Sequence, residues 1–318
     1  MKIARLTLEH IAQAMEWDQG ARYRGFLGEL MPLAADAYDT SNEPFRSHLG
    51  ASVIGRECAR EIWYSFHWTT ARKFDARMLR LFNRGHLEEP RFLALLKTIG
   101  CTVHHIDNRG KQFRIGPGHR GHAGGGIDAV VIGCPDMPMP ILGEFKTHND
   151  ASFRKVAEEG VLKAKWEHFV QMQAYMGDLT LPAAIYMATN KNDDALHAEI
   201  IQYDHGQYVK GKELTAAIID AETPPPRISE NAGWYKCKFC DHRQVCHGKA
   251  LPARNCRTCQ YSSIGNEGEW WCENKKRQLA MLFPTCPSEL AEKDETFRLT
   301  KKRQLAGCQA YVMLPSIK

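Results

Sequence analysis

Apolar residues recur at helical spacing along several stretches of the chain. In "SVIGRECAREIWYSF", residues 52–66, Ser52 stands in a capping position and Val53, Ile62, Trp63 and Phe66 fall near helical spacing, which predicts one helix. From 76 to 100, Met78, Leu79, Phe82, Leu87, Phe92, Leu95 and Leu96 repeat the pattern, and Pro90 predicts a break or kink. "VLKAKWEHFVQMQAYMGD", residues 161–178, reads as a further helix, and another is expected over 206–221. Residues 101–147 are strand-like, with turns at "NRGK" and "HAGGG"; "PAAIYMATN" and "HAEIIQYD" read as short strands. Residues 1–50 read as mixed helix and loop. "TPPPR" at 223–227 is a stiff proline linker ahead of a cysteine-rich tail. "KKRQLA" occurs at 275–280 and again at 301–306, too short a repeat to imply an architecture.

Composition narrows the class. The 318 residues suffice for one large domain and a smaller one, and 25% charged with 43% apolar residues is ordinary for a globular protein. No apolar run approaches the ~20 residues that span a bilayer. Charges interrupt "MKIARLTLEHIAQAMEWDQG" too often for an export signal, so a cytoplasmic location without a membrane partner is expected. A net charge of +5 permits a nucleic-acid partner without demanding one. Of eleven cysteines, six cluster late, at 237, 240, 246, 256, 259 and 272. In a reducing compartment such spacing points to metal rather than disulfides. Cys101 and Cys134 read as ordinary buried cysteines.

The strand-like region carries charge at its ends. In "GIDAVVIGCPDMPMPILGEFKTHND", residues 126–150, Asp128 opens one apolar run, and Glu144 and Lys146 close the next. If the runs form a hairpin closed at "CPDMPMP", the residue opposite Asp128 lies within one of position 145. Side chains alternate along a strand, so Glu144 and Lys146 share a face and Phe145 points away. A small adjustment of register adds Asp128 to that face. Two carboxylates so placed repel unless something positive neutralises them, and hard oxygen ligands suit Mg²⁺ or Mn²⁺. Lys146 would position or help deprotonate a water, the equipment for phosphodiester hydrolysis. A salt bridge on an exposed hairpin is the competing reading.

Further motifs surround this one. "RGHLEE" gives G-x-x-x-E from Gly85 to Glu89, and "QMQAY" gives Q-x-x-x-Y from Gln171 to Tyr175, which share a helix face at i and i+4. In this order the set resembles the PD-(D/E)XK nuclease superfamily in its RecB-like exonuclease branch, over about residues 50–250. The resemblance implies metal-binding roles for Glu89, Asp128 and Glu144, with the Phe145 carbonyl as a further ligand. It implies water activation by Lys146 and bracing by Gln171 and Tyr175. The RecB-like pattern usually has His at the position of Glu89, where Glu is more like the lambda-exonuclease branch. His86 and Glu88 are the neighbouring alternatives. Lys163, Lys165 and Arg154 are candidates for phosphate contact.

"CKFCDHRQVC" supplies Cys237, Cys240 and Cys246. CRISPR-associated RecB-type relatives hold a [4Fe–4S] cluster with three cysteines at this spacing and one ahead of the nuclease core, where Cys58 stands here. Four-thiolate Zn²⁺ is the alternative. Cys256, Cys259 and Cys272 have the spacing of a structural Zn²⁺ site. The fourth ligand is Cys286 or Cys308, and similarity to phage-encoded relatives favours Cys308. Lys275, Lys276, Arg277, Lys301, Lys302 and Arg303, with Trp270 and Trp271, are candidates for gripping nucleic acid.

The expected fold is therefore α/β, a restriction-endonuclease-like core of mixed sheet flanked by helices, with a small zinc-bound tail. The expected division is an N-terminal extension at 1–50, a nuclease core at 51–250 and the tail at 251–318. The expected activity is metal-dependent hydrolysis of DNA, as an exonuclease. A non-catalytic nucleic-acid-binding protein and an iron–sulfur redox sensor are the competing classes.

Overall fold

The structure is a computed structural model that describes residues 1–40, 45–274, 276–279 and 310–317. Its helices are α1 (Arg5–Trp17), α2 (Ala21–Leu30), α3 (Ala59–Phe66), α4 (Ala76–Thr98), α5 (Asp150–Glu159), α6 (Val161–Ala164), α7 (Trp166–Leu179), α8 (His205–Asp220), α9 (Tyr235–Lys238) and α10 (Arg243–Cys246). Its strands are β1 (Leu49–Gly50), β2 (Thr102–His104), β3 (Arg114–Ile115), β4 (Ala123–Gly126), β5 (Ala129–Ile132), β6 (Ile141–His148), β7 (Ala183–Asn190), β8 (Leu196–Gln202), β9 (Ser262–Ile264), β10 (Trp270–Cys272) and β11 (Arg277–Leu279). Contacts divide the chain into two units: Met1–Asn42, Phe74–Ile115 and Gly125–Val209; and Glu43–Lys73, Gly116–Gly124 and Lys210–Lys318.

The first unit is built on a five-stranded sheet of order β2-β5-β6-β7-β8. Strands β6 and β7 run parallel, and every other neighbouring pair is antiparallel. The sequence explains the centre of the sheet: all eight residues of β7 are buried, as a strand covered on both faces requires. One face carries Phe145, Ile185, Met187 and Ile200 into a core with Phe92 and Leu96 of α4 and Ile11 of α1. Phe92 and Phe145 stack with centroids 5.1 Å apart. The alternate residues of β6, Glu144 and Lys146, lie on the other face.

Four local expectations are corrected. The helix expected from Ser52 begins at Ala59, with Cys58 at its N-cap, and only a short 3₁₀ turn covers Ala51–Val53. Pro90 does not end α4, which runs through it from Ala76 to Thr98. The buried residues Glu88 and Phe92–Leu96 on either side hold both halves in place, although the ring removes one helical N–H. "HAGGG" is no turn: Ala123–Gly126 form β4, where Gly126 and Gly125 pair with β3, and Ala123 and Gly124 pair with β1. The helix expected over 161–178 is divided at Lys165, whose backbone (φ −142°, ψ 61°) leaves the helical region.

The second unit joins residues on both sides of positions 50 and 250. The described part of the tail is folded together with α3 and the segment before it. Arg257 is 1% exposed. Its guanidinium donates to the carbonyls of Phe66 (2.9 Å) and Ser47 (2.6 Å) and lies 3.9 Å from the Trp68 ring centroid and 4.6 Å from that of Trp270. Asn255 donates to the Trp68 carbonyl, and the Tyr64 hydroxyl donates to the carbonyl of Ile317 at 2.8 Å. Strands β9–β11 form a small antiparallel sheet that carries Trp270 inward. Trp270 is thus a core residue, not the base-stacking surface expected of it.

Candidate active site

The register of β5 and β6 assembles the charged strand ends. Ala129 pairs with Gly143, so Asp128 stands opposite Glu144 and on the face it shares with Lys146. The Phe145 amide donates to Asp128 Oδ2 at 2.7 Å, fixing that carboxylate, while the Phe145 ring is anchored in the core. Lys146 Nζ is ion-paired with Glu144 Oε1 and lies 3.8 Å from Asp128 Oδ2. It also donates to the Phe145 carbonyl at 3.1 Å, which therefore engages the lysine. Glu144 is completely buried, and its Oε2 has no hydrogen-bond partner.

Electrostatics ties Glu89 to this group. Burial, then Asp128, pushes Glu89 up to about 8. Burial pushes Glu144 up to about 7 against the pull of Lys146. Burial opposes the charge of Lys146, yet Glu144 and Asp128 outweigh it and hold the lysine above its ordinary value. Glu88 faces elsewhere, 3.2 Å from Arg91. His86 Nδ1 lies 3.9 Å from Glu89 Oε1. Both line a cleft with Asp128, Asp36, His105 and Gln112.

An unpartnered buried carboxylate oxygen, with two more carboxylates whose charges resist one another, is a donor set of the chemistry that Mg²⁺ or Mn²⁺ accepts. Among the described residues no three histidine, cysteine or carboxylate side chains stand as a group that could hold a metal ion in these rotamers. Lys146 occupies the space between Asp128 and Glu144 instead.

Helix α7 supplies the predicted Gln171 and Tyr175, both buried and one turn apart on the same helix. The Tyr175 hydroxyl lies over Gly125, where any Cβ would collide with it. This explains glycine in the strand that leads to Asp128. Arg154 is paired with Asp150 at 3.1 Å and is largely exposed. Lys165 is held below the ordinary lysine value by burial and by Lys155.

The sequence reading missed three neighbours of the site. Tyr186 pairs in register with Glu144, and its hydroxyl lies 2.8 Å from His148 Nε2 and 3.0 Å from His168 Nδ1. Burial, with Lys146 or Lys165 nearby, lowers His148 to about 4 and His168 to about 3, so both rings are neutral. The signal was legible: His148 lies two positions beyond Lys146 in β6 and therefore on the same face.

Of the cysteines, Cys58, Cys237, Cys240 and Cys246 share the second unit. Burial, then Cys58 and Cys246, raises Cys237, and burial drives Cys240 up to about 12, with Glu61 and Cys58 adding to it. The distant Cys58 is thus a neighbour of the C-x2-C pair. Cys256, Cys259 and Cys272 line one small cavity with Tyr261, Ala310 and Tyr311. Cys286 and Cys308 lie outside the described residues, as do Lys275 and Lys301–Arg303.

No family model matches the chain, and no curated protein matches it. Among solved structures, an alkaline exonuclease (LHK-Exo) from Laribacter hongkongensis gives a TM-score of 0.40 at 20% identity, covering 54% of this chain and 86% of that one. Its complex with dAMP gives 0.40 at 19% identity, covering 54% and 86%. The protein SSO0001 gives 0.38 at 16% identity, covering 73% of this chain and all of that one. These likenesses are distant.

Proposed function

We propose that this chain is a metal-dependent deoxyribonuclease, acting as an exonuclease. The observation that supports it most is the convergence of Asp128, Glu144 and Lys146 on one sheet face, with Glu89 within electrostatic reach. Burying charges in this way costs stability, and a site that only had to pack would not carry them. Glu89, Asp128 and Glu144 would hold Mg²⁺ or Mn²⁺, which supplies a Lewis acid and lowers the pKa of a bound water. Lys146, released from Glu144, orients the attacking water and offsets charge developing on the phosphate. Tyr175 and Gln171 brace the strand end beside it. Cys58, Cys237, Cys240 and Cys246 are assigned to a [4Fe–4S] cluster, with Zn²⁺ as the alternative occupant. Cys256, Cys259 and Cys272 are assigned to Zn²⁺, completed by Cys308.

The test is digestion of 5′- and 3′-labelled linear DNA and of closed circles with Mg²⁺ or Mn²⁺. Linear DNA is cut, circles are spared, and Lys146→Ala abolishes cleavage without unfolding the protein. Cleavage by Lys146→Ala at the wild-type rate removes the site from the reaction. Binding without cleavage under any metal leaves a nucleic-acid-binding protein. Elemental analysis of anaerobically purified protein should find about four iron and one zinc per chain. Cys58→Ala should lose the iron and keep the zinc; zinc alone in the wild type would reassign the first cysteine set.

A further inference from the structure

Among the described residues of the second unit, the two most exposed rings lie in one five-residue stretch, and Trp271 at 36% is the next. Phe239 is 78% exposed and Tyr235 60%, whereas Trp270, expected at the surface, is buried. Tyr235 opens the single turn of α9 and Phe239 follows it, with the Phe239 amide donating to the Tyr235 carbonyl at 3.4 Å. At i and i+4 the two rings leave the same side of the turn, with Cβ atoms ~6 Å apart. Two lysines, Lys236 and Lys238, lie between them in the chain. Lys236 Nζ lies 5.6 Å from the Tyr235 ring centroid and is ion-paired with Glu57; Lys238 Nζ lies 5.6 Å from that of Phe239. Trp234 packs edge-on against Tyr235, with centroids 5.1 Å apart, and stiffens its base.

Two large rings left in water at this spacing waste the burial they offer, unless a flat partner stacks on them. Lys238, which has no ion pair among the described residues, selects a partner that is also anionic. We infer that Tyr235 and Phe239, with Lys238, form a binding surface for single-stranded nucleic acid: bases stack on the two rings and the lysine meets the backbone phosphates. A duplex keeps its bases stacked on one another and cannot offer them to such rings. The surface involves none of the residues assigned to hydrolysis, and it stands or falls independently of that assignment.

The test measures binding of the full chain to labelled oligo(dT) by fluorescence anisotropy in EDTA, where cleavage plays no part. Tyr235→Ala with Phe239→Ala should weaken binding by at least tenfold, since stacking contributes about 1–3 kcal/mol per base. Tyr235→Phe with Phe239→Trp, which keeps both rings, should bind like the wild type. Lys238→Ala should reduce the salt slope by about 0.7. The wild type should bind oligo(dT) at least tenfold more tightly than an abasic strand of equal length. Because Cys237 and Cys240 are adjacent, iron and zinc contents of each variant are compared with the wild type. Loss of affinity that returns when the rings are kept supports the surface. Wild-type affinity in the double alanine variant, or equal binding of the abasic strand, overturns it and leaves the rings to a protein partner.

Discussion

At the scale of single residues, the site is defined by charges that the fold makes costly. Glu144 and Glu89 retain protons up to about 7 and about 8, whereas their ordinary value is 4.5. In that window the folded chain binds more protons than the unfolded one, so stability falls as pH rises. Buried histidines such as His148 are lowered from 6.5 and act with the opposite sign below that value. The metal-free protein should therefore lose melting temperature between about pH 6.5 and 8.5, and Glu144→Gln should flatten the decline. A wild type and a Glu144→Gln variant with identical profiles would contradict the raised carboxylate. Gly125 makes a steric prediction. Gly125→Ala drives a methyl into the Tyr175 hydroxyl and should cost about 1–3 kcal/mol in urea denaturation. Adding Tyr175→Phe should recover part of that loss.

At the scale of elements, β6 serves two faces at once. Its even positions carry Glu144, Lys146 and His148, and its odd position 145 carries a ring stacked on Phe92 of α4. The Phe145 amide also holds Asp128, so packing and site geometry share one residue. Phe145→Ala should cost about 3–5 kcal/mol and reduce cleavage as well, whereas Phe145→Leu should retain most of both. Denaturation curves and initial rates on the same preparations decide it; full activity in a destabilised Phe145→Ala would separate the core from the site. The parallel pairing of β6 with β7 sets Tyr186 beside Glu144, so the neutral His148–Tyr186–His168 group is built on two neighbouring strands and α7 rather than on a loop.

At the scale of the whole molecule, the tail cannot be treated as detachable. Asn255, Arg257 and Ile317 bond to residues of the 43–73 segment, and Trp270 packs on Phe66 with centroids 5.4 Å apart. Truncation after residue 250 should leave Phe66 and Trp68 exposed in the second unit. The product should bind a hydrophobic dye, lose the proposed iron along with the proposed zinc, and melt less cooperatively. A truncated chain that keeps iron and a sharp transition would restore the boundary at 250.

The sequence alone determined what depends on local spacing. Alternation along "GEFKTH" put Glu144 and Lys146 on one face, and the i, i+4 spacing paired Gln171 with Tyr175. "PAAIYMATN" was legible as a strand, but its central place in the sheet came only from the pairing with β6 and β8. Turn lengths left the Asp128 register uncertain by one, and only the backbone pairing of β5 with β6 decided it. Which of Glu88 and Glu89 faces the cleft with Asp128 likewise required α4 to be oriented against the sheet. The sequence signalled tail and core as separate because cysteine spacing is local and cheap to read. Their union rests on contacts between residues about 190 apart, such as Arg257 with Phe66, and no periodicity encodes a partner at that distance. Trp270 shows the same limit: hydrophobicity says that a ring prefers burial, but only the packed structure says that Arg257 and Phe66 are there to bury it.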